Sequence, residues 1–497
     1  MENKKRQIED VEVAHDEKLS IAASGEFEGD THAAKPVISP EEKKLVRKIN
    51  LAFVPLFCLV IFIQYMDKTI LNSAGIMGLY EDTHITQDQF SWLGSMFYVG
   101  YLAIQLPNQY FLQRLPVSKY LGIVLLVWGA TVACTALAKN FAQLAALRFL
   151  LGFFEGTTYP AIFLLIGTFY RRHEQVMFFG IMFICNSITG ILGGPISLGI
   201  MQLAGVHGLS AWKWGMIIWG VITSGLGIFI ILLLPDRAHS RWFRLTSEES
   251  ELVEQRTLDN AVIQNKEIKI AHVFEALKEP RLYCYFLISL LLDLPNGGTT
   301  IFSSQIIKQM GFSTNMSLIL AIPQGSAVTI LVLGSSYLSK RHNEIGYYGF
   351  LMSLVAMLGC LLVEVIPYGG AKMAGVLLFA TSPPFVLMQT SISNNVCGYT
   401  KKIFYTSTSL VAYCLGNFIG PLMLTSREAP RYIGGLTGYV VVCFVAGLLF
   451  LYLRWTYIRE NKRRAQLKLE GKIPPPPKNR EELDLTDKED LNFVYRP

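Results

Sequence analysis

Charge is scarce in this sequence. Only 16% of its 497 residues are Asp, Glu, Lys or Arg, where an average soluble domain has roughly a quarter. Beside 51% hydrophobic residues gathered in long blocks, and a mean hydropathy of +0.36, that shortage excludes a water-soluble fold. The net charge of +6 is too small to point to a nucleic-acid partner. A G-x-x-x-x-G-K-[ST] phosphate loop is missing, so ATP-driven pumping has no visible machinery. G-x-S-x-G and any His/Asp/Glu cluster at metal-ligand spacing are missing too. An enzyme is therefore not expected, nor a metal, nor a cofactor. None of the eight cysteines (58, 134, 185, 284, 360, 397, 414, 443) forms a C-x-x-C pair. They fall in or beside apolar runs and read as small buried residues. No N-terminal signal peptide is visible, and the first apolar segment is expected to serve as its own insertion signal.

What remains is an all-α polytopic membrane protein. Twelve apolar segments, each able to span a bilayer, lie near 50–71, 90–112, 119–138, 142–168, 175–204, 214–234, 281–303, 316–338, 345–366, 371–394, 404–426 and 434–456. The expected organisation is a disordered tail over 1–49, with a short helix near SPEEKKLVRKIN, and a six-helix bundle over 50–234. A polar central loop over 235–280, a second six-helix bundle over 281–456 and a disordered tail over 457–497 follow.

Basic residues orient the chain. Arg114 and Lys119, Arg171 and Arg172, Lys340 and Arg341, and Lys401 and Lys402 fall in alternate short loops. The loops between them carry none or one, except the last, with Arg427 and Arg431. Both termini and the central loop are therefore expected on the cytosolic side. A repeat supports two halves: GILGGP at 190–195 matches GNFIGP at 416–421, an offset of 226 that also carries Asp67 onto Asp293. Gly194, Pro195, Gly420 and Pro421 are candidates for gating, with ordinary helix packing as the competing reading.

The fourth segment holds the most telling chemistry. Arg148 and Glu155 sit inside it, seven residues apart, so they share a face about 10 Å apart along the axis. A charge at mid-membrane costs about 2.5–3.5 kcal/mol, and such a pair is expected to face the bundle interior or a wet cavity. Arg148 suits a substrate carboxylate, because its planar fork pairs two oxygens and keeps its proton. Glu155 is the expected proton carrier. The alternatives are a structural ion pair and a charge neutraliser that never titrates.

In the first segment, Tyr65, Asp67 and Lys68 are further site candidates, with Lys68 alternatively snorkelling to the interface. Asp293 precedes Pro295, Asn296, Gly297 and Gly298, a run expected to break the seventh helix and line a cavity. Asn296 would hydrogen-bond a polar substrate there. Gln64, Gln105, Asn108, Tyr159, Asn186, Gln324, Gln389 and Asn417 read first as interhelical hydrogen-bond partners, worth about 0.6 kcal/mol each.

Four stretches carry a family likeness: QYMDKTILNSAGIMGLYEDTHI, QFSWLGSMFYVGYLAIQLPNQYFLQRLPVSKYLG, RFLLGFFEGTTYP and FEALKEPRLYCYFLISLLLDLPNGGTTIFSSQIIKQMGFS. Over about residues 41–460 the chain resembles the allantoate permease branch of the anion:cation symporter family, within the major facilitator superfamily. The resemblance implies two pseudo-symmetric six-helix bundles working by alternating access. It also implies uptake of a small organic anion with protons: a ureido acid, a carboxylated vitamin such as nicotinate or pantothenate, or a dipeptide. The superfamily's G-x-x-x-D-R-x-G-R loop is represented by NQYFLQRLPVSKY, where Gln113 stands for the acid and Arg114 is kept as a candidate gate. The expected partners are thus a small organic anion, protons and the lipid bilayer, with the chain acting as a monomer. The plasma membrane is the first expectation, with the endoplasmic reticulum or another internal membrane as the alternative. An exporter or antiporter, or a nutrient sensor without flux, are the competing functions.

Overall fold

A segment inside a bilayer must satisfy its backbone polar groups internally, which leaves the helix as the available solution for an unclosed chain. The computed structural model describes residues 40–170, 172–234, 269–366, 368–474 and 484–497, and among these residues there are helices and no strand. The helices are α1 (Pro40–Ala74), α2 (Leu79–Thr83), α3 (Gln87–Arg114), α4 (Val117–Thr135), α5 (Phe141–Glu155), α6 (Thr158–Phe169), α7 (Arg172–Met201) and α8 (Ala211–Leu233). They continue as α9 (Ile270–Leu277), α10 (Pro280–Gln309), α11 (Thr314–Ile319), α12 (Ala321–His342), α13 (Ile345–Val365), α14 (Lys372–Leu378), α15 (Ser382–Asn395), α16 (Tyr399–Ile419) and α17 (Ile433–Leu469). Among the described residues, nine stretches are long and apolar enough to cross a membrane. α3, α10 and α16 are not among them. α10 and α16 carry polar side chains such as Asp293, Asn296 and Asn417, which hydrogen-bond to one another between the two helices. With α3, α10 and α16 included, twelve crossings in two halves would be made, and the face where α10 begins and the last turns of α17 lie is called here the terminal face.

Contacts between the halves gather toward the opposite face. The Asn72 amide donates to Ser303 Oγ at 2.8 Å, and its oxygen accepts from the Ser304 backbone N–H at 3.0 Å. Tyr80 donates to Gln305 at 3.0 Å, and Ser95 to the Phe418 carbonyl at 2.6 Å. Asp88, in the first turn of α3, accepts from the Ser426 N–H and hydroxyl at 2.8 and 2.7 Å. Phe90 meets Phe302 edge-on, with ring centroids 5.6 Å apart.

Three expectations are corrected. α10 runs unbroken through Pro295. A Cβ at Gly297 would lie 2.8 Å from Asn417 Cα, and one at Gly298 2.2 Å from the Tyr439 hydroxyl, so these glycines admit α16 and α17 instead of opening the helix. The fourth segment kinks instead, at Gly156 and Thr157 between α5 and α6, while remaining one spanning stretch. Pro160 has no N–H to give the Gly156 carbonyl four residues back, and Gln105 of α3 donates to that carbonyl at 3.3 Å. The C-terminal tail is the third case. Helix α1 begins at Pro40, over the stretch where a short helix is expected, while residues 1–39 and most of the central loop, 235–268, lie outside the described residues.

At the other end α17 extends to Leu469, and residues 484–497, expected to be disordered, pack on the terminal face of the second half. Tyr495 stacks on Tyr457 at 5.0 Å, and Arg281 lies over both rings at 4.5 Å. The backbone of Tyr495 exchanges two hydrogen bonds with the Asn461 side chain, and that of Arg496 does the same with Asn395. Lys401, fully buried, meets Glu275, Glu279 and Asp487 at 2.8, 2.6 and 2.7 Å. Burial works against its ammonium, but the Asp487 and Glu279 carboxylates outweigh it and hold its pKa above the ordinary lysine value. Mixed charge alone suggested disorder. The aromatic residues Phe493 and Tyr495, with Asp487, supply the anchoring that composition concealed.

Candidate functional site

Helix periodicity places Tyr65, Lys68, Thr69 and Asn72 on one face of α1, and that face lines a cavity of about 370 Å³ between the two halves. Tyr98 of α3 and Asn186 of α7 complete the wall of the first half. Asp293, Asn296 and Thr300 of α10, Gln324 of α12, Phe385 of α15 and Tyr413 of α16 form the other wall. The volume suits a small molecule. Among the described lining residues Lys68 is the one cation and Asp293 the one carboxylate, and they stand on opposite halves.

Lys68 has a second set of neighbours. Its Nζ lies 3.5 Å from Glu155 Oε1 and over the rings of Tyr65 and Phe97, at 5.3 and 5.5 Å. Glu155 is wholly buried at the end of α5, at the kink before α6. A small annex of about 20 Å³ adjoins the cavity, lined by Asp67, Lys68, Arg148 and Glu155, and sharing Lys68, Tyr98 and Thr300 with the main space. That volume holds about one water. Asp67 turns about 100° from Lys68 around α1, as adjacent helix positions must, and accepts a hydrogen bond from Trp128 Nε1 at 2.6 Å. Two carboxylates and two cations thus share one buried cluster, and Lys68 is the member that also reaches the cavity.

The second half has a polar cluster of its own. Asn417 donates to Asp293 Oδ1 at 3.1 Å and accepts from Asn296 at 2.9 Å, so the three side chains form a chain from α10 to α16. Asp293 is 3% exposed.

The candidates from the sequence therefore separate. Lys68, Tyr65, Asn296 and Asp293 line the cavity, whereas Arg148, Asp67 and Glu155 line the annex behind it. Arg148, the leading candidate for a substrate carboxylate, does not line the main cavity; it is 5% exposed and lines the annex. Arg114 lies exposed at the end of α3 against Tyr110 of its own helix, 4.4 Å away, and lines neither space. Gly194 and Gly420 are close crossings: a Cβ on Gly194 would meet the Leu318 carbonyl of α11 at 2.0 Å, and one on Gly420 the Leu294 carbonyl of α10 at 2.0 Å. Pro195 lies inside α7, and Pro421 opens a short turn after α16. Sequence reasoning did not single out Trp128, Tyr98 or Tyr413. Aromatic residues inside apolar runs carry no spacing signal that separates a site from a core.

Comparison with known proteins agrees with this architecture. Residues 57–421 match the Major Facilitator Superfamily. An uncharacterized transporter of Schizosaccharomyces pombe is 36% identical over 92% of this chain and 90% of its own length. The allantoate permease of Saccharomyces cerevisiae is 33% identical over 92% of this chain and 87% of its own. Among solved structures, the D-xylose–proton symporter aligns with a TM-score of 0.61 at 12% identity, over 82% of this chain and 97% of that one.

Proposed function

Because the chain belongs to the major facilitator superfamily and is a membrane transporter, we propose that it imports a small organic anion together with protons by alternating access. The observation that carries this reading is the double position of Lys68, which faces the cavity and pairs with buried Glu155. An anion in the cavity competes with Glu155 for the same ammonium. Once Lys68 turns to the substrate, Glu155 takes up a proton, which keeps the buried cluster neutral. Binding of substrate and of proton then favour one another, and by linkage the effect is reciprocal. Arg148 acts behind Lys68 by balancing Asp67 and Glu155, and Asp293, with Asn296 and Asn417, receives the donor groups of the substrate.

The terminal face is read as cytosolic, from the basic loops, and the membrane as the plasma membrane. The contacts of Asn72, Tyr80, Ser95 and Asp88 then close the outer side, which corresponds to an inward-directed state. The likeness to an allantoate permease adds weight to a ureido acid as one of the anions to test first.

Purified protein in liposomes, given an inward proton gradient and a panel of ureido acids, nicotinate, pantothenate, biotin and dipeptides, tests the proposal. Accumulation of one compound that collapses with the gradient is expected. Equilibration without accumulation would remove proton coupling, and accumulation of neutral or cationic solutes alone would remove the anion assignment.

A further inference from the structure

A second cavity, of about 770 Å³, lies at the terminal face between the first turns of α10 and the end of α17. Its lining includes five cations, Arg281, Arg459, Arg463, Arg464 and Lys488, and two carboxylates, Glu279 and Glu460. Both carboxylates are already engaged. Glu279 lies 2.6 Å from Lys401 and 3.0 Å from Lys488, and Glu460 lies 2.7 Å from Arg463 and 2.9 Å from Arg464. Arg281 hydrogen-bonds Thr456 at 3.2 Å and lies over aromatic rings, and Arg459 lies 5.3 Å over Trp455. The cluster is therefore positive in sum.

Its place on the helix says what it meets. Along α17, Val441, Val445, Leu448, Tyr452 and Trp455 are all exposed, at intervals of three or four residues, with exposed Phe444 beside Val445. They form one apolar stripe facing outward. Trp455 is 53% exposed and ends that stripe, where interfacial aromatic residues belong. The next steps on the same face, four and eight residues on, are Arg459 and Arg463, both exposed. Acyl chains lying on the stripe would bring a headgroup to these two guanidiniums. Basic pockets just beyond a spanning helix favour anionic lipid.

We infer that this groove binds the headgroup of an anionic phospholipid in the leaflet at the terminal face. The guanidiniums pair with the phosphate, and Trp455 and Tyr452 pack on the glycerol and upper acyl region. The site belongs to α10, α17 and the docked C-terminal segment, and is separate from the cavity between the halves.

Native mass spectrometry of the full-length protein tests this, with phosphatidylglycerol and phosphatidylcholine of the same acyl chains supplied together in neutral detergent. Retention of phosphatidylglycerol in preference to phosphatidylcholine is expected, with the preference falling about tenfold in an Arg459→Ala, Arg463→Ala double variant. Equal retention of the two lipids by the unaltered protein overturns the assignment and needs no variant. A preference that survives the double variant overturns it as well. Thermal unfolding of the unaltered protein is the companion measurement. Phosphatidylglycerol should raise the midpoint and inorganic phosphate at the same concentration should not. An equal shift from inorganic phosphate would identify a free-anion site in place of a lipid site.

Discussion

Lys68 Nζ stands 3.5 Å from Glu155 Oε1, with Glu155 fully buried and Lys68 reaching the cavity. One ammonium thus serves two anions that cannot both hold it. Glu155→Gln keeps the shape and a hydrogen-bonding group while removing the titration. It should abolish accumulation driven by a proton gradient, yet leave exchange of substrate across the membrane at equal concentrations. Lys68→Ala should lose both, since the cavity then has no cation. Counterflow and gradient-driven uptake measured on the same proteoliposomes separate the two outcomes. Gradient dependence retained by Glu155→Gln would remove it from the coupling role.

The Asp67 carboxylate accepts from the Trp128 indole at 2.6 Å, deep between α1 and α4. Removing the donor with Trp128→Phe leaves a buried carboxylate oxygen short of a partner, which costs about 1.5–3 kcal/mol. Pairing it with Asp67→Asn should recover part of that loss, because the amide is less costly to leave unpaired. Thermal unfolding of the two single variants and the double variant in detergent gives the coupling. Strictly additive losses would mean that the bond contributes little.

How much of this could be read from the sequence differs from residue to residue. The all-helical membrane fold was legible, and among the described residues nine of the expected spans are stretches long and apolar enough to cross, because apolar length is set directly by bilayer thickness. The importance of Lys68 relative to Arg148 was not, since both are cations in apolar runs and only packing decides which one faces the cavity. Pro295 and Pro160 show the same limit. Both lack an N–H, but Gly297 and Gly298 let neighbours close around an intact α10, whereas at Pro160 the freed Gly156 carbonyl found Gln105 on another helix. Asp67 and Asp293, related by the repeat, have unrelated partners, Trp128 and Asn417. An offset in sequence predicts position in the fold, not environment.

Asp88 and Ser426 join the halves at the face away from the termini. The Ser426 hydroxyl and N–H stabilise the charged carboxylate and hold the Asp88 pKa below the ordinary aspartate value. A depressed folded-state pKa contributes stability above the unfolded value of about 3.9, and that contribution is lost as pH falls through the folded pKa. The contact should therefore persist unchanged from neutral pH down to about pH 4. Asp88→Ala should loosen that face at neutral pH. A single cysteine introduced at Thr300, in an otherwise cysteine-free background, should then react faster with a membrane-impermeant reagent added from that side. An unchanged labelling rate would mean that the other contacts suffice.

Lys401 is the charge that three carboxylates share at the terminal face. Lys401→Met leaves Glu275, Glu279 and Asp487 crowded without it, and breaking a buried charge network of this kind costs about 3–5 kcal/mol. The docked segment should release first, since Asp487 belongs to it. Faster proteolysis after residue 470, with the spanning helices still folded by circular dichroism, is the expected signature. Equal proteolysis rates would show that the Tyr495 and Arg464 contacts hold the segment alone.

Gly194 and Gly199 lie on one helix, α7, and differ in what surrounds them. A Cβ on Gly194 would sit 2.0 Å from the Leu318 carbonyl of the other half, whereas one on Gly199 would meet nothing within 4 Å. Both are helical, so alanine improves local propensity at each by about 0.5–1 kcal/mol. At Gly199 nothing opposes that gain, and Gly199→Ala should leave transport unchanged and stability equal or slightly higher. At Gly194 the added methyl must push α7 away from α11, a cost of about 1–3 kcal/mol that falls on the crossing between halves. The state with that crossing closed should be disfavoured, so Gly194→Ala should slow the transport cycle more than it weakens substrate binding. Measuring turnover and binding affinity for both variants distinguishes the cases. If Gly194→Ala transports like Gly199→Ala, the crossing is packing that the cycle does not open and close.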